Sequence, residues 1–167
     1  MEQRMQAWPK QSQMAAFYGN PAAADGSADP KWEAANLITI TPPYAMFYDG
    51  KPVKKIRVHK LVADSLLRIL TRIGKEVPTA DIKRYGLDQF GGVHNFRRKR
   101  AGSSLSTHAY ACAIDLAPAL NPFKVTYGSR PNMMPMQAVK IFEAEGWVWG
   151  GLWSNGDGMH FQAAKIG

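Results

Sequence analysis

Ser106-Thr107-His108-Ala109-Tyr110-Ala111-Cys112-Ala113-Ile114-Asp115-Leu116-Ala117-Pro118 is the stretch from which the fold can be read. Residues 112–117 have the length and apolar character of a buried strand, and Pro118 closes it. A carboxylate, Asp115, sits inside that strand, where burial is costly unless a cation or hydrogen-bond donors compensate. Downstream, residues 135–145 predict a helix. Pro135 suits its first turn, Gly146 its end, and Met136, Val139 and Phe142 recur every three residues. Trp147-Val148-Trp149 and Met159-His160-Phe161-Gln162 then read as two more strands, joined through Gly150, Gly151, Gly156 and Gly158. Upstream, residues 91–107 are irregular. Leu61, Val62, Leu66, Ile69, Leu70 and Ile73 predict a helix, with Gly74 as its stop. Leu37-Ile38-Thr39-Ile40 is a short β run. Residues 44–48 and 53–58 flank Asp49-Gly50 and predict a hairpin limited by Pro52, and residues 21–30 form a loop. Helices and hairpins without a regular βαβ alternation predict an α+β fold, a small antiparallel sheet with packed helices.

The chain has 167 residues, 46% hydrophobic and 20% charged, which fits one domain with an ordinary globular core. We expect an N-terminal extension over 1–35, packing on a single catalytic domain over 36–167. One cysteine, Cys112, excludes an internal disulfide framework and a Cys-rich zinc module. No apolar run reaches the roughly 20 residues of a membrane helix, and the first ten residues lack the apolar core of a secretory signal. Synthesis in a cytoplasm without a signal peptide is therefore the expectation. A net charge of +8 favours an anionic partner: nucleic acid, acidic lipid or cell wall.

Of the four histidines, His108 and His160 lie near acidic residues in prepared settings. His108 precedes Asp115 by seven positions, and His160 follows the glycine-flanked Asp157 by three. Two imidazoles and one carboxylate form a common catalytic zinc set with one position left for water. Zinc lowers the pKa of such a water towards about 7, and a further carboxylate must carry its proton to the leaving amine. The sequence supplies one candidate for each part, His108, Asp115 and His160 as ligands of one zinc ion and Asp157 as base, and spacing alone does not prove that they converge. The helical His-Glu-x-x-His motif of other zinc proteases is absent.

The run Ser106-x-His108-x-x-x-x-Ala113-x-Asp115 resembles the signature of the zinc D-Ala-D-Ala peptidases, the VanX/VanY-like group. Its members include bacterial carboxypeptidases and phage endolysins that cut the L-alanyl-D-glutamate bond of peptidoglycan. Glu145-Gly146-Trp147-Val148-Trp149-Gly150-Gly151-Leu152-Trp153 and Asp157-Gly158-Met159-His160-Phe161 are similar to that group's C-terminal pattern. The resemblance spans about 93–162. It implies a hedgehog / D-Ala-D-Ala peptidase-like fold, the same three ligands and Asp157 as base. Residues 95–103 resemble the endolysin branch, in which an upstream arginine contacts substrate; Arg97 is the first choice here and Arg100 the second. Ala111 stands where many relatives have glycine, and Gln162 where many have glutamate.

Plainer readings stand beside these. His108 and Asp115 could be a structural pair and Asp157 a turn former; Glu143 and Glu145, alternative bases, fall on a solvated helix face. Residues 97–100 could be a solvated charge run or a surface patch. Ser106 is placed at the substrate or behind a ligand, Cys112 in the core, and His59 and His94 outside the chemistry. Trp147, Trp149 and Trp153 are chiefly core, with one lining a cleft. The resemblance implies an endolysin acting on the peptidoglycan stem peptide, drawn to an anionic cell envelope, monomeric and without a stable nucleic-acid partner. Release from the host cytoplasm to the wall is implied with it. The alternatives are a D-Ala-D-Ala carboxypeptidase and, in another class, an inactive basic virion or DNA-binding protein.

Overall fold

The computed structural model describes residues 7–99 and 102–167. A short 3-10 turn leads into α1 (Met14–Tyr18), and α2 (Pro30–Asn36) follows a loop. Asp29 caps α2 by accepting from the Lys31 amide at 3.0 Å, and Pro30 fills the first turn. This Asp-Pro pair was a readable signal for a helix that the periodicity did not reveal. α2 runs directly into β1 (Leu37–Ile40).

The predicted hairpin exists, but only in miniature. Asp49 and Gly50 both take positive φ and join β2 (Phe47–Tyr48) to β3 (Lys51–Pro52). The Val53 amide still donates to Met46 O at 2.8 Å, and beyond it the chain leaves this partner. β4 (Ile56–His59) pairs instead with β1, antiparallel, from Leu37 opposite His59 to Ile40 opposite Ile56. The sheet is thus divided into two two-stranded ribbons and one four-stranded sheet, and every strand pair is antiparallel. The α+β class holds.

α3 (Ala63–Glu76) buries Leu66, Ile69, Leu70 and Ile73 as its spacing predicts. It does not stop at Gly74. A Cβ at Gly74 would lie 3.1 Å from the Tyr44 ring, so this glycine serves close packing rather than termination. The helix ends at Val77, whose extended backbone is the conformation that a following proline, Pro78, enforces. A further helix, α4 (Thr79–Arg84), was not anticipated.

The four-stranded sheet carries the site. Its order is β5-β6-β8-β7, comprising β5 (Phe90–Gly92), β6 (Ala113–Leu116), β7 (Val148–Gly150) and β8 (Asp157–Gln162). β5 falls in the stretch read as irregular. α5 (Met136–Ala144) packs against α3 and β7, and its Phe142 stacks on Phe161 of β8 with ring centroids 3.8 Å apart. Side chains alternate across a strand, so with Phe161 turned to the helices, His160 and Gln162 face the other way.

Residues 9–12 and 165–167 are tied together. The Lys165 amide donates to Pro9 O and the Gln11 amide to Lys165 O, both at 2.8 Å, and the Ser12 amide donates to Gly167 O at 3.0 Å. Trp8, Met14 and Tyr18 join the main core, and the Tyr18 hydroxyl donates to Ala163 O at 2.7 Å.

Glu145 is not on a solvated face. Its carboxylate takes a forked pair of bonds from Arg68 (Nη2 to Oε1 2.8 Å, Nε to Oε2 3.1 Å) and a third from Ser65 Oγ at 2.8 Å. Ser65 in turn accepts from the Trp147 indole at 2.9 Å. The helix ends before Glu145, which is free to fold back onto α3. Burial pushes this carboxyl up, but the bonds from Arg68 and Ser65 outweigh it and hold it below the usual range. A depressed folded-state pKa stabilises above the unfolded value and is lost as pH falls through the folded one. Glu145→Gln should therefore cost about 1–2 kcal/mol at neutral pH. Denaturant melts of both proteins should show that gap closing progressively below about pH 4.

Candidate metal centre

Asp115 and His160 are direct cross-strand partners in the β6–β8 ladder. Opposite residues on one face of an antiparallel pair stand about 5 Å apart at Cβ, so the register alone puts carboxylate against imidazole. Asp115 Oδ1 lies 3.2 Å from His160 Nδ1. His108 arrives from the turn just before β6. This is a single 3-10 turn, Thr107–Tyr110, whose N-cap Ser106 accepts from the His108 amide at 3.2 Å. The turn closes through Ala111 at φ 55, a left-handed conformation that costs an alanine roughly 1–2 kcal/mol.

His108 Nδ1 is 2.8 Å from the Val93 carbonyl and must donate to it, which leaves Nε2 unprotonated in the neutral ring. That Nε2 is buried, makes no hydrogen bond, and points at Asp115 Oδ2 from 3.2 Å. The ligand atoms of His108, Asp115 and His160 all lie within 4.8 Å of one another. Donors around a tetrahedral zinc at 2.0–2.2 Å stand roughly 3.3–3.6 Å apart, so the trio fits such an ion with little movement. An orphaned imidazole nitrogen aimed into a cluster of nitrogen and oxygen donors is what a divalent cation of this kind requires. Burial pushes the Asp115 carboxyl up, but the two imidazoles beside it hold it well below its usual range. Burial pushes His160 down; Asp115 and then Asp157 more than reverse this and raise it.

Close approach of β5 completes the setting. A Cβ on Gly91 would fall 2.9 Å from the Asp115 Cβ, so only glycine lets that strand lie against the carboxylate. Asp157 begins β8. Its odd spacing from His160 would put it on the opposite face of a regular strand, but the β7–β8 register shifts between Trp149 and Gly150. Asp157 Oδ2 comes to 4.0 Å from His160 Nδ1, and both residues line a groove of about 300 Å³.

Arg97, Lys99, Ser106 and Trp153 line the same groove. Ser106 Oγ caps the turn as an acceptor, while Arg97, among the described residues, stands at the groove with a long 3.4 Å bond to Arg98 O. Arg98 turns away, over the Phe96 ring and towards Gly26 O at 3.2 Å. The run 97–99 thus divides by side rather than forming one patch, and Arg100 lies outside the described residues. Trp153 is the cleft tryptophan, its ring 5.6 Å from that of His160. His59 is fixed elsewhere, between Tyr18 O and the Leu61 amide, and Cys112 is fully buried. Sequence reasoning missed Lys99, the Val93 carbonyl and the glycine at 91. Of these only Gly91-Gly92 left a mark in the sequence.

Residues 99–163 match the family model of D-alanyl-D-alanine carboxypeptidase. The match covers less than half of the chain, but it contains His108, Asp115, Asp157 and His160 and bears out the resemblance read from the motifs. Arg97 lies two residues outside it. Neither a curated protein nor a solved structure matches the chain.

The matched family is zinc-dependent, and the donor set fits that ion. Zinc added to the metal-free protein should raise its melting temperature, by the equivalent of about 2.7 kcal/mol at one hundred times Kd. A chelator should reverse the shift, and His108→Ala should abolish it; calorimetry with and without metal reads both.

Proposed function

We propose that the protein is a zinc-dependent peptidoglycan hydrolase of the endolysin type, cutting the stem peptide at the L-alanyl-D-glutamate bond to lyse bacteria. One observation carries this reading. His108 converges with Asp115 and His160, two of the lining residues of a groove that also holds an acid, Asp157, and a cation, Arg97, within or beside the segment matching the peptidase family. Bound there by His108, Asp115 and His160, zinc would acidify a water and polarise the scissile carbonyl.

The protein's own groups do the rest. Asp157 accepts a proton from the attacking water and delivers it to the departing amine nitrogen, so the C–N bond breaks without expelling an amide anion. Arg97 offers a fork suited to a substrate carboxylate or to the charge growing on the carbonyl oxygen, and Arg100 is the second candidate. Ser106 acts through the turn that presents His108. In this reading, residues 36–167 are the catalytic domain, hedgehog / D-Ala-D-Ala peptidase-like in fold, and 1–35 an extension packed on it. The protein acts as a monomer, without a stable nucleic-acid partner, and reaches the wall after release from the host cytoplasm. Its +8 charge favours approach to an anionic envelope, an attraction that salt weakens.

The description of the matched family favours a second reading, a D-Ala-D-Ala carboxypeptidase. Digestion of purified peptidoglycan followed by mass analysis separates the two. New amino-terminal glutamate supports the endopeptidase, whereas freed terminal D-alanine replaces it with the carboxypeptidase. Asp157→Asn should keep zinc and lose about 10²–10⁴-fold in rate. Undiminished turnover in that variant would remove Asp157 from the role of base.

A further inference from the structure

Gln162 lies two residues beyond His160 on β8, on the same face, and is 1% exposed. Its amide has two ends and two fixed neighbours. The nitrogen, Nε2, is 2.8 Å from Ala164 O, and the oxygen, Oε1, is 2.9 Å from His160 Nε2. Reversing the amide would set two carbonyl oxygens face to face at that distance, so the orientation is determined by Ala164 O. Oε1 can only accept. His160 Nε2 must therefore carry a proton, whatever the state of the other ring nitrogen. Thr107 Oγ1 also approaches Nε2, but at 3.4 Å it makes a much weaker bond. Nδ1, the nitrogen facing Asp115 and Asp157, is left as the one whose lone pair a cation can take.

We infer that Gln162 is a positioning residue for the metal centre: its amide, locked by Ala164 O, keeps the proton on His160 Nε2 and so assigns Nδ1 to the metal. His108 is set up in the opposite sense by the Val93 carbonyl, which holds Nδ1–H and frees Nε2. One backbone acceptor and one buried side-chain acceptor thus give the two imidazoles complementary ligand atoms. Partners of this kind orient a ligating ring and raise its basicity, and their loss typically costs 10–100-fold in metal affinity. The inference rests on the metal reading above for its purpose, but its structural content does not.

The test begins with the unmodified protein. Nitrogen-15 correlation spectra of the imidazoles, recorded on metal-free protein, should show His160 Nε2 protonated; a ring protonated on Nδ1 alone would overturn the assignment. Zinc affinity, measured by competition with a chromophoric chelator, should fall about 10–100-fold in Gln162→Leu, which packs similarly but accepts nothing. Gln162→Glu, protonated on the oxygen that faces Ala164 O, keeps both the donor and the acceptor at that place and should restore most of the loss together with Nε2 protonation. Equal affinities in the wild type and the leucine variant would refute the positioning role. Should the wild type bind no zinc, the metal reading fails, while the spectra still decide whether Gln162 fixes the imidazole proton.

Discussion

The pairing of Asp115 with His160 across β6 and β8 is the constraint on which the rest of the site depends. Strand side chains alternate with period two, so a slip of one residue would turn one partner onto the helix side and leave a carboxylate among Phe142 and its neighbours. The register is secured from the other face, where Phe161 stacks on Phe142 of α5 and Ile114 is fully buried. Apolar packing on one side of the sheet therefore sets the polar geometry on the other. The core helices hold the polar cluster in place from the opposite face of the sheet.

That arrangement gathers polar groups that would be costly if any stood alone. A mostly buried carboxylate is held between two imidazoles, one donating to Val93 O and the other to Gln162. Each imidazole has a nitrogen satisfied by the protein and another directed at the carboxylate. Part of the donor set lacks a hydrogen-bond partner, as His108 Nε2 shows, and stored polarity of this kind is characteristic of binding sites rather than of cores.

Much of this was legible in the sequence because it is local. The strand ending at Pro118, the α5 boundaries between Pro135 and Gly146, and the apolar stripe of α3 follow from spacing and from turn-forming residues. The trio of His108, Asp115 and His160 was legible through motifs, since each lies in a short patterned run. What failed was non-local. The residues after Pro52 had the right composition for a hairpin, but their partner was β1, and no local pattern encodes which of two ribbons wins. Gly74 looked like a helix stop because a glycine's close contact, here with Tyr44, is invisible without the fold. Glu145 looked solvated for the same reason: its partners, Arg68 and Ser65, are roughly eighty residues earlier in the chain. Val93 acts through its backbone carbonyl, which composition cannot distinguish from any other, whereas Gln162 stood out in the sequence where many relatives have glutamate.

The tie between residues 9–12 and 165–167 carries a practical consequence. Gln11 and Ile166, next to the bonds that tie Pro9 to Lys165, are themselves part of the groove wall beside His160. Any polypeptide appended after Gly167 starts its path on the rim of the cleft. A fusion partner or purification handle placed there would crowd the mouth of the groove. A handle inserted at the exposed Asp49-Gly50 turn would keep that rim free.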